Sequence, residues 1–255
     1  MILRPTKKIF TIVFSFVFSM QIIAQDDKEK SILEIALEGF KFRSIGPAFM
    51  SGRIADIAID KTNENVWYVA VGSGGLWKTT NSGTTWSPLT DKESFYSTGC
   101  VTIDPHNNKK IWLGTGENVG GRHVGIGHGL FVSNDGGKTW ENSGLKKSEH
   151  ISKIIVHPKD PNTIWVAVQG PLWSPYGERG LYKSTDGGKT WKNKLKINKW
   201  TGVTELVIDA SNPAILYAAS WQRHRNVAAY MGGGPGTSLY KSTDHGDNWF
   251  KIDNG

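Results

Sequence analysis

Ser184–Trp191 reads STDGGKTW, and the same eight-residue phrase returns as TTNSGTTW at Thr79–Trp86, SNDGGKTW at Ser133–Trp140 and STDHGDNW at Ser242–Trp249. The closing tryptophans lie 54, 51 and 58 residues apart. A unit of that length suits a four-stranded propeller blade and is too long for a leucine-rich or short helical repeat. Such a unit cannot bury its own face, so it stacks on copies of itself.

Within the phrase, Asn81, Asp135, Asp186 and Asp244 are expected to turn a side-chain oxygen onto backbone N–H groups two residues on. Gly83, Gly137, Gly188 and Gly246 supply the positive φ of a tight hairpin, and Trp86, Trp140, Trp191 and Trp249 open the next strand with a large apolar plate. The pattern resembles the Asp box of BNR-repeat propellers, the group that includes sialidases, sortilins and xyloglucanase-type glycoside hydrolases. The resemblance covers residues 43–255. It implies an all-β fold, a β-propeller of four-stranded antiparallel blades with Asp-box hairpins. Four repeats are visible, and the last box falls so close to Gly255 that they are expected to be the N-terminal part of a larger propeller.

Aligning the repeats places the strands. Period-two segments ending in polar turns (IADIAIDKTNEN, CVTIDPHNNK, SKIIVHPKDPNT, ELVIDASNPA) form first strands. Second strands carry an aromatic taken as equivalent at Trp67, Trp112, Trp165 and Tyr217, and third strands read GLWKTT, GLFVSN, GLYKST and SLYKST. From the residue opening the third strand to the box tryptophan the distance is always 11, whereas from the second-strand aromatic to that opening residue it is 8, 17, 15 and 21. All the variation lies in the loop after the second strand, on the face opposite the boxes. Variable loops on a rigid scaffold are where function concentrates.

Those loops are rich in aromatic and charged residues. The segment 117–128 offers Glu117, Arg122, His123 and His128; the segment 171–179 offers Trp173, Tyr176, Glu178 and Arg179; the longest offers Trp221, Arg223, His224, Arg225 and Tyr230. Aromatic plates among charged groups suit sugar rings and peptide side chains, so Arg122, His123, Trp173, Tyr176, Arg179, Trp221, Arg223, Arg225 and Tyr230 are the expected ligand-binding set. The alternative is that Trp173, Trp221 and Tyr230 fold back as plugs for their own loops. Glycoside hydrolysis requires two carboxyl groups flanking the bond, for which Glu117, Glu178 and Asp91 are the candidates. For Glu117 the competing role is an ion pair with Arg122 or Arg179. KFRSIGP, residues 41–47, departs from the sialidase arginine motif at Ser44 and Gly46, leaving Arg43 as a strand residue. Asp60, Asp104 and Asp209 read as turn acceptors on the box face.

Other chemistry classes find no support. GTGENVGG, residues 114–121, has the wrong glycine spacing for a dinucleotide fingerprint and runs into a strand, not a helix. His123 and His128 have no third ligand for zinc, so neither a metal nor a cofactor is implied. Cys100 is the single cysteine, lies outside the long loops and reads as a small buried strand residue.

Residues 1–24 have the tripartite form of a secretory signal, with Arg4, Lys7 and Lys8, an apolar run from Ile9, and a cut expected after Ala24. The expected destination is the periplasm, the cell surface or the medium. Residues 25–42 are a linker, with Phe40–Arg43 a possible closing strand and Ser31–Leu37 a short helical stretch. Removing the signal takes three positive charges from the net +7, leaving a modest +4 scattered over box turns, without the stripe that a nucleic-acid binder needs. The function expected is a sortilin-like propeller binding extracellular glycan or peptide ligands. The alternatives are a glycoside hydrolase acting on polysaccharide and a scaffold for envelope protein assembly.

Overall fold

The computed structural model describes residues 52–252 and, apart from these, Ile32. The signal segment, its cleavage point, the linker, the possible closing strand, Arg43 and the helical stretch (Ile32 excepted) therefore lie outside the described residues. Every element within 52–252 is a strand, and all of them belong to one compact unit, Ala48–Gly255.

Four antiparallel four-stranded sheets follow one another along the chain. Blade 1 is β1 (Ile54–Ile59), β2 (Trp67–Val71), β3 (Gly75–Thr79) and β4 (Ser87–Pro88); blade 2 is β5 (Thr98–Asp104), β6 (Asn107–Thr115), β7 (Leu130–Ser133) and β8 (Glu141–Gly144). Blade 3 comprises β9 (Ile151–Val156), β10 (Ile164–Val168), β11 (Gly180–Ser184) and β12 (Lys192–Leu195). Blade 4 is β13 (Thr201–Ile208), β14 (Leu216–Gln222), β17 (Ser238–Ser242) and β18 (Phe250–Ile252); the excursion between β14 and β17 holds a separate ribbon of β15 (His224–Arg225) and β16 (Tyr230–Met231). First strands β1, β5, β9 and β13 pack side by side in chain order. Along them runs a cleft of about 760 Å³, lined by Ile59, Asp60, Asp104, His106 and Lys153 among others.

The core is divided among the three blade junctions. Leu76, Tyr68, Val101 and Leu113 pack between blades 1 and 2; Trp112, Leu130, Ile151 and Ile154 between blades 2 and 3; Trp165, Leu181, Val203 and Leu206 between blades 3 and 4. Cys100 is fully buried in β5 at the second junction, as a small strand residue.

The box geometry follows from its side chains. Asp135 Oδ1 accepts from Lys138 N at 2.9 Å and Thr139 N at 3.0 Å, three and four residues on, not the two expected from the sequence. Its second oxygen takes the Thr139 hydroxyl, and Ser133 Oγ accepts from Gly137 N at 2.8 Å. Asp186 and Asp244 repeat the arrangement. Each box then donates to the first turn of its own blade: Ser82 N to Asn65 O, Gly136 N to Lys109 O, Gly187 N to Asn162 O and His245 N to Ala214 O. Boxes and first turns thus share one face. There Asp60, Asp104 and Asp209 accept from backbone N–H two residues on, the turn role expected of them.

One alignment needs correcting. Pairing places Tyr68 opposite Lys78, as Trp112 is opposite Val132, Trp165 opposite Lys183 and Tyr217 opposite Lys241. The aromatic equivalent to Trp112 is therefore Tyr68, and Trp67 occupies the position of Ile111. Two adjacent aromatics in blade 1 hide a one-residue slip, which transfers a side chain to the opposite face of the sheet.

Candidate functional site

The loops after β2, β6, β10 and β14 gather on the face opposite the boxes, and buried polar side chains hold them to one another. Glu117 is almost fully buried. Its Oε2 takes Arg53 Nη2 at 2.6 Å and Gly125 N at 3.1 Å, and its Oε1 takes the Ser73 hydroxyl at 2.7 Å. Burial alone would raise its pKa; bonds from Ser73, Gly125 and Arg53 outweigh it and bring the carboxyl below its usual range. Glu117 therefore ties blade 1 to the loop of blade 2 as an anion at neutral pH. Its partner is Arg53, not Arg122 or Arg179.

Arg223 and Arg179, expected on the surface, are buried beneath it. Arg223 Nη1 donates to Val119 O at 2.7 Å and Nη2 to Gly170 O at 3.3 Å, so a side chain from blade 4 holds the loops of blades 2 and 3. Arg179 Nη2 donates to Pro171 O at 2.8 Å and Ser174 O at 2.7 Å, closing the loop of blade 3 on itself. Burial pushes both guanidinium groups down to about 10. Glu149 lies within their field; its burial raises its pKa while the two arginines oppose that rise. Neighbouring His150, also buried, is pushed down to about 3 and is neutral at physiological pH.

Above this frame the aromatic residues are open. Tyr176 is 79% exposed, Trp173 46% and Tyr230 38%. In the β15–β16 ribbon Arg225 pairs with Tyr230 and places its guanidinium 4.7 Å from the ring centroid. Trp221 is half-buried, anchored by Nε1 to Gly232 O at 3.0 Å, with Arg223 beneath at 5.4 Å. His224 stacks on Trp200 at 3.9 Å. Gly120 passes so close under Tyr230 and Trp221 that a Cβ there would lie 1.9 Å from the Tyr230 hydroxyl. Trp221 and Tyr230 thus seal their own loop in part, whereas Trp173 and Tyr176 stand clear. Arg122, His123 and His128 are exposed in the loop after β6.

The three candidate carboxylates have separate surroundings. Glu117 is consumed by its ion pair, and Glu178, half-buried, accepts Lys147 N at 2.9 Å and fastens two loops. Asp91 is exposed in the turn after β4. The sequence reading missed Arg53, which lies before β1, and Glu149 and His150, which lead into β9. No spacing rule links them to the long loops.

A protein-family model, Sortilin-Vps10 ("Sortilin, neurotensin receptor 3"), matches residues 128–255. The chain belongs to this family. A Homo sapiens VPS10 domain-containing receptor, SorCS1, is 27% identical over 124 residues, 48% of this chain and 9% of the receptor. A probable oligoxyloglucan-reducing end-specific xyloglucanase of Neosartorya fischeri is 25% identical over 237 residues, 85% of this chain and 26% of the relative. Xyloglucanase Xgh74A of Acetivibrio thermocellus is 25% identical over 250 residues, 88% of this chain and 27% of the relative. The chain thus spans about a quarter of the length of these xyloglucanases. An ancestral GH74 enzyme superposes with a TM-score of 0.58 at 24% identity, covering 80% of this chain and 24% of the enzyme, a likeness of fold. This Sortilin-Vps10 chain is therefore a BNR/Asp-box propeller with four blades among its described residues.

Proposed function

We propose that this chain is exported and recognises extracellular glycan through the loop face opposite the Asp boxes. One observation carries the reading: Trp173 and Tyr176 stand open on loops that buried arginines already hold in place. Aromatic faces attract the C–H faces of sugar rings, while Arg122, His123 and Arg225 offer donors to hydroxyl edges. A surface ordered before binding loses little entropy when a ligand arrives. The similarity to proteins named xyloglucanases makes xyloglucan oligosaccharides the first ligands to try. Calorimetry with those oligosaccharides, and in parallel with a peptide panel, tests it. Changing Trp173 and Tyr176 together to Ala is expected to weaken glycan affinity at least about tenfold, since an aromatic contact contributes about 0.5–1.5 kcal/mol beyond area burial. Unchanged affinity removes this face from the proposal, and binding confined to peptides removes the glycan.

The same relatives favour a second reading, a glycoside hydrolase. Its carboxylates would be Asp91 and Glu178, because Glu117 is committed to Arg53. Reducing-sugar release that vanishes in Asp91→Asn or Glu178→Gln supports it; release indifferent to both rejects this site. An envelope scaffold would instead co-purify with envelope proteins and ignore soluble glycans.

A further inference from the structure

Six cations of the loop face have no carboxylate partner. Arg122, Lys146, Lys147, Lys196, Lys199 and Arg225 lie in the loops of blades 2 to 4, and among the described residues none of them enters an ion pair or donates a side-chain hydrogen bond. Elsewhere cations are matched: Lys110 reaches Asp104 and Lys153 reaches Glu205, each at 3.8 Å, while Lys183 and Lys194 reach Asp247 at 3.1 and 2.9 Å. The acids of the same loops do not make up the difference. Glu117 is neutralised by Arg53, Glu178 accepts the Lys147 N–H at 2.9 Å, and Glu149 is half-buried. Beneath the surface Arg179 and Arg223 add two guanidinium groups, and Glu149 is the one carboxylate among the described residues whose charge acts on both. Salt screens buried charges less than exposed ones, so this excess is felt above them. The boxes on the opposite face have the reverse balance, with Asp135, Asp186, Asp244 and Asp247 against Lys138 and Lys189.

Backbone bonds bring these cations to the open aromatic residues. Glu178 N donates to Lys147 O at 3.0 Å and Lys147 N to Glu178 Oε2, which fastens the Lys146–Lys147 turn beside the loop that carries Trp173 and Tyr176. From blade 4, Arg225 N donates to Leu172 O at 3.0 Å, one residue before Trp173. The Arg225 guanidinium lies over the Tyr230 ring with its Nε buried and unpartnered, and no described residue accepts from it. Arg223 N donates to Trp200 O at 3.1 Å and His224 stacks on the Trp200 ring, so Lys199 sits at the foot of the same ribbon. The group is centred on blade 3, which has a blade packed on either side.

We propose that the loop face takes an acidic glycan, a chain of sugars bearing carboxylate or sulfate groups. The inference rests on the glycan reading of this face and narrows it. Sugar rings lie on Trp173 and Tyr176, and their anionic substituents meet Arg225 on one loop and Lys146 and Lys147 on the next. An arginine presents a fork of N–H groups that matches carboxylate or sulfate oxygens two at a time, and the fork of Arg225 is held against Tyr230 with no acceptor of its own. A surface of one sign also draws an oppositely charged polymer from a distance. A neutral glycan would use the aromatic plates and leave the cations unmatched.

The test is calorimetry with three oligosaccharides of equal length, a galacturonate oligomer, a sulfated galactose oligomer and a neutral xyloglucan oligomer, beside a polyglutamate peptide that carries charge without sugar. At least one acidic oligomer is expected to bind about tenfold more tightly than the neutral one at low salt, and the preference should shrink as salt rises. Which of the two binds separates carboxylate from sulfate. Arg225→Gln, and separately Lys146→Gln combined with Lys147→Gln, should each lower the ratio of acidic to neutral affinity about threefold. Circular dichroism checks folding, and the two lysines are exposed, so their replacement reads the site even if Arg225→Gln fails to fold. A neutral oligomer that binds as tightly as both acidic ones overturns the acidic inference and leaves the glycan reading standing. Polyglutamate that binds as tightly as the acidic sugars, or a face that binds no sugar at all, overturns both. A preference that survives in the folded variants overturns the assigned residues.

Discussion

Arg223 Nη1 donates to the Val119 carbonyl at 2.7 Å across 104 positions of sequence. A buried cation holding another blade's backbone makes the loop face one cross-braced surface. Changing Arg223 to Ala leaves the Val119 and Gly170 carbonyls without this donor, and bonds to charged groups contribute about 1.5–3 kcal/mol each. A loss of about 3 kcal/mol, or roughly 6–12 °C in melting temperature for a chain of this size, is expected. Hydrogen exchange in residues 117–128 and 168–172 should quicken while the box turns stay protected.

Glu117→Gln separates a structural from a catalytic role. The amide keeps an acceptor for Ser73 but loses the ion pair to Arg53, and it leaves one of its own polar atoms without a partner. Arg53 is largely solvated, so the expected cost is about 1–2 kcal/mol, seen as a lower melting temperature. Glycan affinity and any hydrolytic rate of the folded variant should match the wild type; a rate loss without loss of stability would restore Glu117 as a catalytic candidate.

The box aspartates set an acid limit. Bonds from Thr139 N and its hydroxyl hold Asp135 well below the usual carboxylate range; the Thr190 hydroxyl and N–H do so for Asp186, and Asn248 does so for Asp244. A carboxylate with a depressed folded pKa stabilises the fold fully above its unfolded value of about 3.9, and that contribution is lost as pH falls through the folded value. Stability should hardly respond to these groups between pH 5 and 8 and should decline below about pH 4. Asp135→Asn retains an oxygen for Lys138 and Thr139, as Asn81 already does for Thr85 in the first box; it should melt near the wild type at neutral pH with a weaker acid decline. Asp135→Ala should melt lower at every pH.

Gly188 has φ +89, and an added Cβ would come within 2.5 Å of Trp112 Cη2. Gly188→Ala combines left-handed strain with overpacking and is expected to cost about 2–4 kcal/mol. Urea unfolding followed by tryptophan fluorescence measures it. Gly233, which has nothing within 4 Å of an added Cβ, should accept alanine with little change and serves as the control.

The box turns were legible because their chemistry is local: a carboxylate, a hydroxyl and a glycine within five residues close the whole hydrogen-bond set. Loop length within one chain likewise revealed which face varies. What escaped was long-range. Glu117 and Arg53 are 64 positions apart, and nothing near Glu117 announces the partner. Arg179 and Arg223 read as surface residues because arginine is seldom buried without a carboxylate, yet here main-chain carbonyls satisfy part of each guanidinium. The slip between Trp67 and Tyr68 shows the limit of aligning by residue type, since only strand pairing decides which of two neighbouring aromatics faces the next blade.

Strands β14 and β17 stay paired from Leu216–Ser242 to Ser220–Ser238 although the chain between them leaves to form its own ribbon. The excursion starts and ends on one rung of the ladder, so its length is mechanically decoupled from the blade. The tip of the excursion, residues 226–235, is therefore a replaceable cartridge, provided that Arg223 and Arg225 keep their bonds to the Val119, Gly170 and Leu172 carbonyls: grafting a different tip would change what the protein touches without altering the pitch of the blades.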